Sequence, residues 1–533
     1  MDFACGFLTD DVESWEVNPT TRCVVAPTAN RDVIEVSKLH ASHGDRLFKR
    51  LNPEFGKKYT DVPELTNSQL KIAIKLEHEL DHLQRHLATG YGYLFHAIKS
   101  RMVDLFFERL HLTCTDEAGV LPWYPESAVV DGLDLSDSGI EGNKSRQLGY
   151  RWLAELLSGE SLAPRRPSAA QCAVALAVFQ DDLLRRLGYK GNVNIQKDLA
   201  RELSFDAGSR FEFPTVAGRD GRPEKIGGQA LLEAFSICRE MSQMTFAGRA
   251  VDRDLTQFRA PIYTSAMRVW QNIAGLPRVR IERPSGSWKA VGYKSLDVFP
   301  LDVYAAADLA LWPPIEPNPE TTDLTFNWHD IHPGWRYVRC LNYLKKNPRN
   351  WMPPRNLTAD TDSWMVELQR ELCLHFGWKS PVELSHSWFQ FLSHGHSGGF
   401  GKLFIADDRG RSAASLNLLN TRIAFPARFA LGFPASHGHA VNWFACLLAA
   451  DESRVYSDEQ QEQRLEQLGY KLPVAFAMME TLELYGEKLN TNRDVLSQSV
   501  QMRFKQLGHR LEESVKTYAS RHYGINEPLF GRK

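Results

Sequence analysis

The 533-residue chain has no Cys-x-x-Cys pair, no marked excess of either charge and no apolar run long enough to cross a bilayer. Each absence removes a class of function. Eight cysteines are scattered at positions 5, 23, 114, 172, 238, 340, 373 and 446, which argues against a paired-thiolate zinc site or a redox dithiol. Cys172, Cys238 and Cys446 lie in apolar, helix-like surroundings, where a reduced cysteine is simply a small core residue. A net charge of −2 supplies no field for nucleic acid or an anionic membrane. The longest apolar stretches, near 169–179 and 440–450, fall short of the roughly 20 residues a membrane span needs and read as buried helices. The opening Met1-Asp2-Phe3-Ala4-Cys5 lacks the basic and apolar regions of a secretory leader. Together with reduced cysteines, this gives a cytoplasmic protein as the expectation.

What is present is ample material for folded domains: 43% hydrophobic residues, with 13 Trp, 16 Tyr and 28 Phe. The length exceeds what one core holds. The pattern predicts an α+β, predominantly helical, multidomain protein. An N-terminal domain is expected over 1–165, a mixed middle domain over 166–320 and a C-terminal domain over 321–533. The first 64 residues read as loops with a strand at Cys23–Ala26, and 66–112 as two helices broken near Gly90-Tyr91-Gly92. A stretch rich in Pro, Gly, Asp and Ser follows from Asp116 to about Ser168, and helices are expected at 169–187, 228–244 and 360–376. Short strands are expected at 278–283, 287–293, 388–392, 402–406 and 412–419, and a mostly helical end over 440–523. The Pro- and Trp-rich interval 312–355 reads as a boundary region that packs on something.

One stretch names a chemistry. His78-Glu79-Leu80-Asp81-His82 is H-E-x-x-H, in which one helical turn separates two imidazoles and lets both hold one ion. Thr66 and Gln69 form a capping box ahead of it, with Leu65 and Leu70 at the staple positions. Leu76, Leu80, Leu83 and Leu87 recur at helical spacing, so the motif sits on a helix. Zinc needs a third protein ligand. Were the chain to turn back near Tyr91 as an antiparallel helix, 78–82 would face about 100–104. Asp104 is then the best-placed carboxylate, with Glu108 one turn on and the loop residues Glu117 and Glu126 as alternatives. Against this stands a plainer reading, a polar helix face of Lys75, His78, His82, Arg85 and His86.

The motif helix resembles the zincin metallopeptidases, over perhaps 25 residues. Arg85 and Ala88 occupy the positions where the metzincin branch has glycine and a third histidine. The resemblance therefore implies a branch whose third ligand is a carboxylate. It implies a zinc hydrolase acting on a protein or peptide substrate, with His78, His82 and Asp104 as metal ligands and Glu79 as general base.

Other constellations compete. Gly395-His396-Ser397-Gly398-Gly399 fits G-x-S-x-G, the elbow of serine hydrolases, with His437 or His439 as base. The strand expected ahead of it supports that reading. The strand and the turn at 407–410 expected after it favour a glycine-rich loop instead. Ser-His-Gly-His occurs at 393–396 and 436–439, so two His-x-His loops could share an ion. Glu79-x-x-His82 and Glu383-x-x-His386 match the ligand pairs of a di-iron bundle, although strand-like sequence after the second pair is the wrong context. A non-enzymatic helical interaction protein is the remaining alternative.

Overall fold

A computed structural model describes residues 16–18, 23–26, 30–43, 64–115, 140–159, 169–191, 193–196, 214–217, 223–246, 262–274, 301–319, 324–347, 359–393, 405–430, 446–449 and 454–456. The described residues are predominantly helical. In chain order, leaving aside the short helical segments Phe179–Leu183, Leu184–Arg186 and Trp328–Ile331, the helices are α1 (Arg31–His43), α2 (Asn67–Ala88), α3 (Gly90–Thr115), α4 (Ile140–Ser158), α5 (Ala169–Val178), α6 (Gly228–Phe246), α7 (Ile262–Ala274) and α8 (Leu301–Ala310). They continue with α9 (Pro333–Lys346), α10 (Ala359–Phe376), α11 (Pro381–Ser393), α12 (Ile405–Ala424) and α13 (Pro426–Ala430). Short strands form small sheets. β1 (Glu16–Asn18) and β2 (Cys23–Ala26) make an antiparallel pair. β2 runs parallel to Cys446–Ala449, which in turn pairs with Arg454–Tyr456.

Helix α2 is the hub, packing against α1, α3, α6 and α12. Its start is the predicted capping box: Thr66 Oγ1 accepts from Gln69 N at 3.2 Å, and Gln69 Oε1 accepts from Thr66 N at 3.0 Å. Its end is set by Thr89, whose hydroxyl donates to Arg85 O at 2.7 Å and accepts from Gly92 N at 3.1 Å. Gly92 has no alternative there. A Cβ at that position would lie 2.2 Å from His86 O. The break between the first two helices thus falls where the sequence places it.

One apolar cluster takes in buried side chains from Val24 to Ala430. Trp312, Trp328 and Trp388 are among its largest fully buried members, and Trp388 stacks on Tyr93 at 4.5 Å. Trp312, Trp328 and Trp335 of the 312–355 interval therefore do pack. His332 caps α9 as a neutral imidazole: Nδ1 accepts from Gly334 N and Trp335 N, while Nε2 donates to Leu156 O at 2.7 Å. Burial pushes its pKa down to about 3.

Several sequence expectations need correction. Residues 388–392 are not a strand but the second half of α11. Its start is a capping box read past in the sequence: Ser380 Oγ accepts from Glu383 N, Glu383 accepts from Ser380 N, and Pro381 sits at the first helical position. The aromatic run outweighed that box in the reading. Residues 412–419, and the turn expected at 407–410, lie inside α12. Cys446–Ala449 is a strand rather than part of a helix, because β2 offers it a parallel partner. Helix α4 lies within the stretch that composition alone marked as irregular. The strands expected at 278–283 and 287–293, and most of 440–523, lie outside the described residues. Among the described residues no helix is long and apolar enough to cross a membrane.

Away from α2, the core is tied by a buried charge. Asp308 on α8 receives both arms of Arg422 from α12, one at 2.8 Å, and the Gln369 side chain from α10 at 2.8 Å. Asp308 and Arg422 are 0% and 2% exposed, so neither has water to fall back on. Removing one partner strands the other charge. Arg422→Ala is expected to lower unfolding free energy by about 3–5 kcal/mol in denaturant titration. A loss below about 1 kcal/mol, the range of exposed pairs, would contradict the clamp.

Candidate metal centre

Every residue of α2 from Leu76 to Ala88 is buried. Eight of these thirteen are polar or charged: Glu77, His78, Glu79, Asp81, His82, Gln84, Arg85 and His86. Such a helix holds in a core only if its neighbours answer each group. Helix α6 supplies most of the answers. Arg239 Nε meets Glu77 Oε2 at 3.0 Å, Ser236 Oγ donates to Asp81 Oδ2 at 3.1 Å, and Glu233 Oε2 lies 3.3 Å from His82 Nε2. Partner numbers fall on α6 as they rise on α2, so the two helices run antiparallel. Arg85 closes the far end, forked onto Asp81 at 2.8 and 3.0 Å and donating to Ala430 O at 2.9 Å. Its guanidinium also stacks 3.6 Å over Phe235.

Within this pairing three donor atoms converge. His78 Nε2 and His82 Nε2 are 3.0 Å apart, and each lies 3.3 Å from Glu233 Oε2. Among the described residues, this is the one group of three His, Cys, Asp or Glu side chains gathered closely enough to hold an ion. The spacing suits a metal. Tetrahedral zinc with bonds of about 2.0–2.1 Å places neighbouring donors about 3.3–3.4 Å apart. Glu233 Oε2 is buried and forms no well-aligned hydrogen bond, although two imidazole nitrogens stand beside it. Two imidazoles and one carboxylate are also an ordinary donor set for zinc, leaving one position free.

The electrostatics follow from burial. Burial alone would lower the His78 pKa, but the Glu240 and Glu233 carboxylates more than reverse this and hold it up at about 10. Burial would raise Glu233, and His82 and His78 pull it well below the usual carboxylate range. Glu79 behaves differently. Burial raises its carboxyl to about 7, with His78 and His82 opposing and Glu233 adding to the rise. Among the described residues it makes no hydrogen bond, although it is 7% exposed and electrostatically coupled to the three donors.

Two of the three clustered side chains, His78 and His82, belong to the motif that the sequence singles out, and the third, Glu233, does not. Glu233 comes from a helix 151 positions beyond His82, and no spacing rule connects them. The legible trace is the helical spacing of Glu233, Ser236, Glu240 and Gln243 on α6. Asp104 lies on α3, where its side chain and that of Glu108 are outside the described residues, as are Glu117 and Glu126. Close to the turn, α3 meets α2 through His86, whose ring contacts Tyr91 and Phe95. Glu383 and His386 share a helix after all, but both are exposed, so they do not complete a di-iron core. Ser397, His396, His437 and His439 lie outside the described residues. The strand that an elbow at Ser397 needs ahead of it is helix α11.

Glu77 gives the network a pH signature. Burial would raise its carboxyl, yet Arg239 and His40 bring it down to about 2. The folded state thus favours the carboxylate relative to the unfolded chain. Its stabilising contribution, on the order of 3 kcal/mol, is present above the unfolded pKa near 4.5 and is lost as pH falls toward 2. Glu77→Gln is expected to flatten the stability decline across that window in acid titrations followed by circular dichroism. An unchanged slope would mean the Arg239 pair contributes nothing.

Comparison with protein-family models, with curated proteins and with solved structures gives no match for this chain, so the reading of its site rests on the geometry above.

Proposed function

We propose that the protein is a zinc-dependent hydrolase of the H-E-x-x-H type, cleaving amide bonds in peptide substrates. The observation that carries this reading is the triangle of His78, His82 and Glu233 donor atoms, with Glu79 buried, coupled electrostatically to all three and without a hydrogen bond among the described residues. His78, His82 and Glu233 are the residues that would hold the ion. Glu233 takes the place of third ligand in this reading because it is the carboxylate that, among the described residues, stands against both imidazoles; the side chain of Asp104, expected there from the sequence, lies outside them. Bound zinc would polarise a carbonyl and make water acidic enough to react near neutral pH.

Glu79 does the proton work. Its carboxylate stands next to the first ligand in sequence and has no competing hydrogen bond among the described residues. It takes a proton from the attacking water as the water oxygen bonds to the carbonyl carbon, and returns it to the amide nitrogen as the C–N bond breaks. A structural zinc site would be closed by a fourth protein ligand. Among the described residues the converging group has three.

A second reading has one observation in its favour. His78 is already engaged by two carboxylates, Glu240 and Glu233, which satisfies a buried imidazolium without any ion. In that case α2 and α6 form a charge-matched packing interface and nothing more.

Glu79→Gln separates the two readings. The variant is expected to bind zinc as the parent does and to lose about 10²–10⁴-fold in peptide hydrolysis. Full turnover by the zinc-loaded variant would remove Glu79 from the mechanism. Absence of zinc from the parent, after dialysis against the ion, would favour the packing interface.

A further inference from the structure

We infer that Glu240 is a positioning residue for His78, and that it makes the two histidine ligands unequal. The inference rests on the metal-centre reading above. Glu240 sits on α6 two turns beyond Glu233 and is wholly buried. Its Oε1 lies 2.8 Å from His78 Nδ1, on the opposite side of the ring from the Nε2 that faces Glu233. A carboxylate there keeps the proton on Nδ1 and leaves the Nε2 lone pair for a metal. It also fixes the ring's rotation and makes the imidazole a stronger donor.

A carboxylate with no water around it needs a cation, and Lys75 provides one. Lys75 Nζ lies 2.9 Å from the same Oε1, while 36% of its side chain remains exposed. Lys75 is one turn before His78 on α2, so the ammonium, the carboxylate and the imidazole form a line from the surface to the donor triangle. The charge that orients His78 is therefore held in place from outside the core.

His82 has no such neighbour. Among the described residues its carboxylate partner, Glu233, meets Nε2, whereas His78 has a carboxylate beside each ring nitrogen. Helix packing does not require Glu240 to do the same job, because Arg239 to Glu77 and Ser236 to Asp81 already tie α6 to α2. Losing the Glu240 charge should therefore act on the ligand ring more than on the helix pair.

The test is zinc affinity of the full chain, measured by competition with a chromophoric chelator, together with the absorption spectrum of the cobalt(II)-loaded protein. Glu240→Gln keeps the shape and removes the charge. It is expected to weaken zinc binding about 10–100-fold and to shift the cobalt bands. Glu240→Asp keeps the charge at a greater distance and is expected to fall between the two. It also serves if the glutamine variant does not fold. A dissociation constant within threefold of the parent, with an unchanged cobalt spectrum, overturns the positioning role while leaving the metal centre standing. A parent protein that binds neither metal overturns both.

Discussion

The structure depends on charge matching between two buried helices. Helix α2 carries acids, bases and imidazoles around its circumference and is nevertheless buried from Leu76 onward. An isolated ion in a protein core costs several kcal/mol, so each must be answered at hydrogen-bond range. The answers on α6 fix the register of the pair to within one residue. Sliding α6 by a turn would take Arg239 from Glu77, Ser236 from Asp81 and Glu233 from the histidines at once. The donor triangle is a by-product of this register, and it is only as rigid as the pairs on either side.

The same logic explains the contrast between Glu79 and its neighbours. Glu77 is clamped by Arg239 and His40 and is held low at about 2. Glu233 and Glu240 are held as carboxylates by imidazole and ammonium partners. Glu79 alone among these four acids has no hydrogen bond among the described residues, and its carboxyl is raised by burial. A helix that answers its other acids and leaves this one unbonded has a group free to exchange a proton with something not yet bound. The proposed function rests on that difference more than on the four-letter motif.

Local signals in the sequence were sound where chemistry acts within a turn or two. The Thr66 and Gln69 box, the leucine stripe and the break before Gly92 all follow from short-range hydrogen bonding and helical periodicity, and they place His78, Glu79 and His82 correctly on α2. The strand at Cys23–Ala26 was legible from its β-branched core, but its parallel partner near position 447 was not. The same limit hid Glu233, whose role depends on a register between helices about 150 residues apart. Around α11 the failure was different. The Ser380, Pro381 and Glu383 pattern marks a helix start, while the aromatic run at 388–391 has the composition of a strand. Trp388 is buried against Tyr93 and Phe391 packs on Trp388, a tertiary reason that β propensity imitates.

X-ray absorption at the zinc edge of the loaded protein tests the central claim most directly. The account predicts one ion per chain with two imidazole nitrogens at about 2.0–2.1 Å, one carboxylate oxygen and no sulfur, and loss of the oxygen shell in Glu233→Ala. Zinc bound through sulfur, zinc bound through a single imidazole, or an unchanged spectrum in that variant would contradict it.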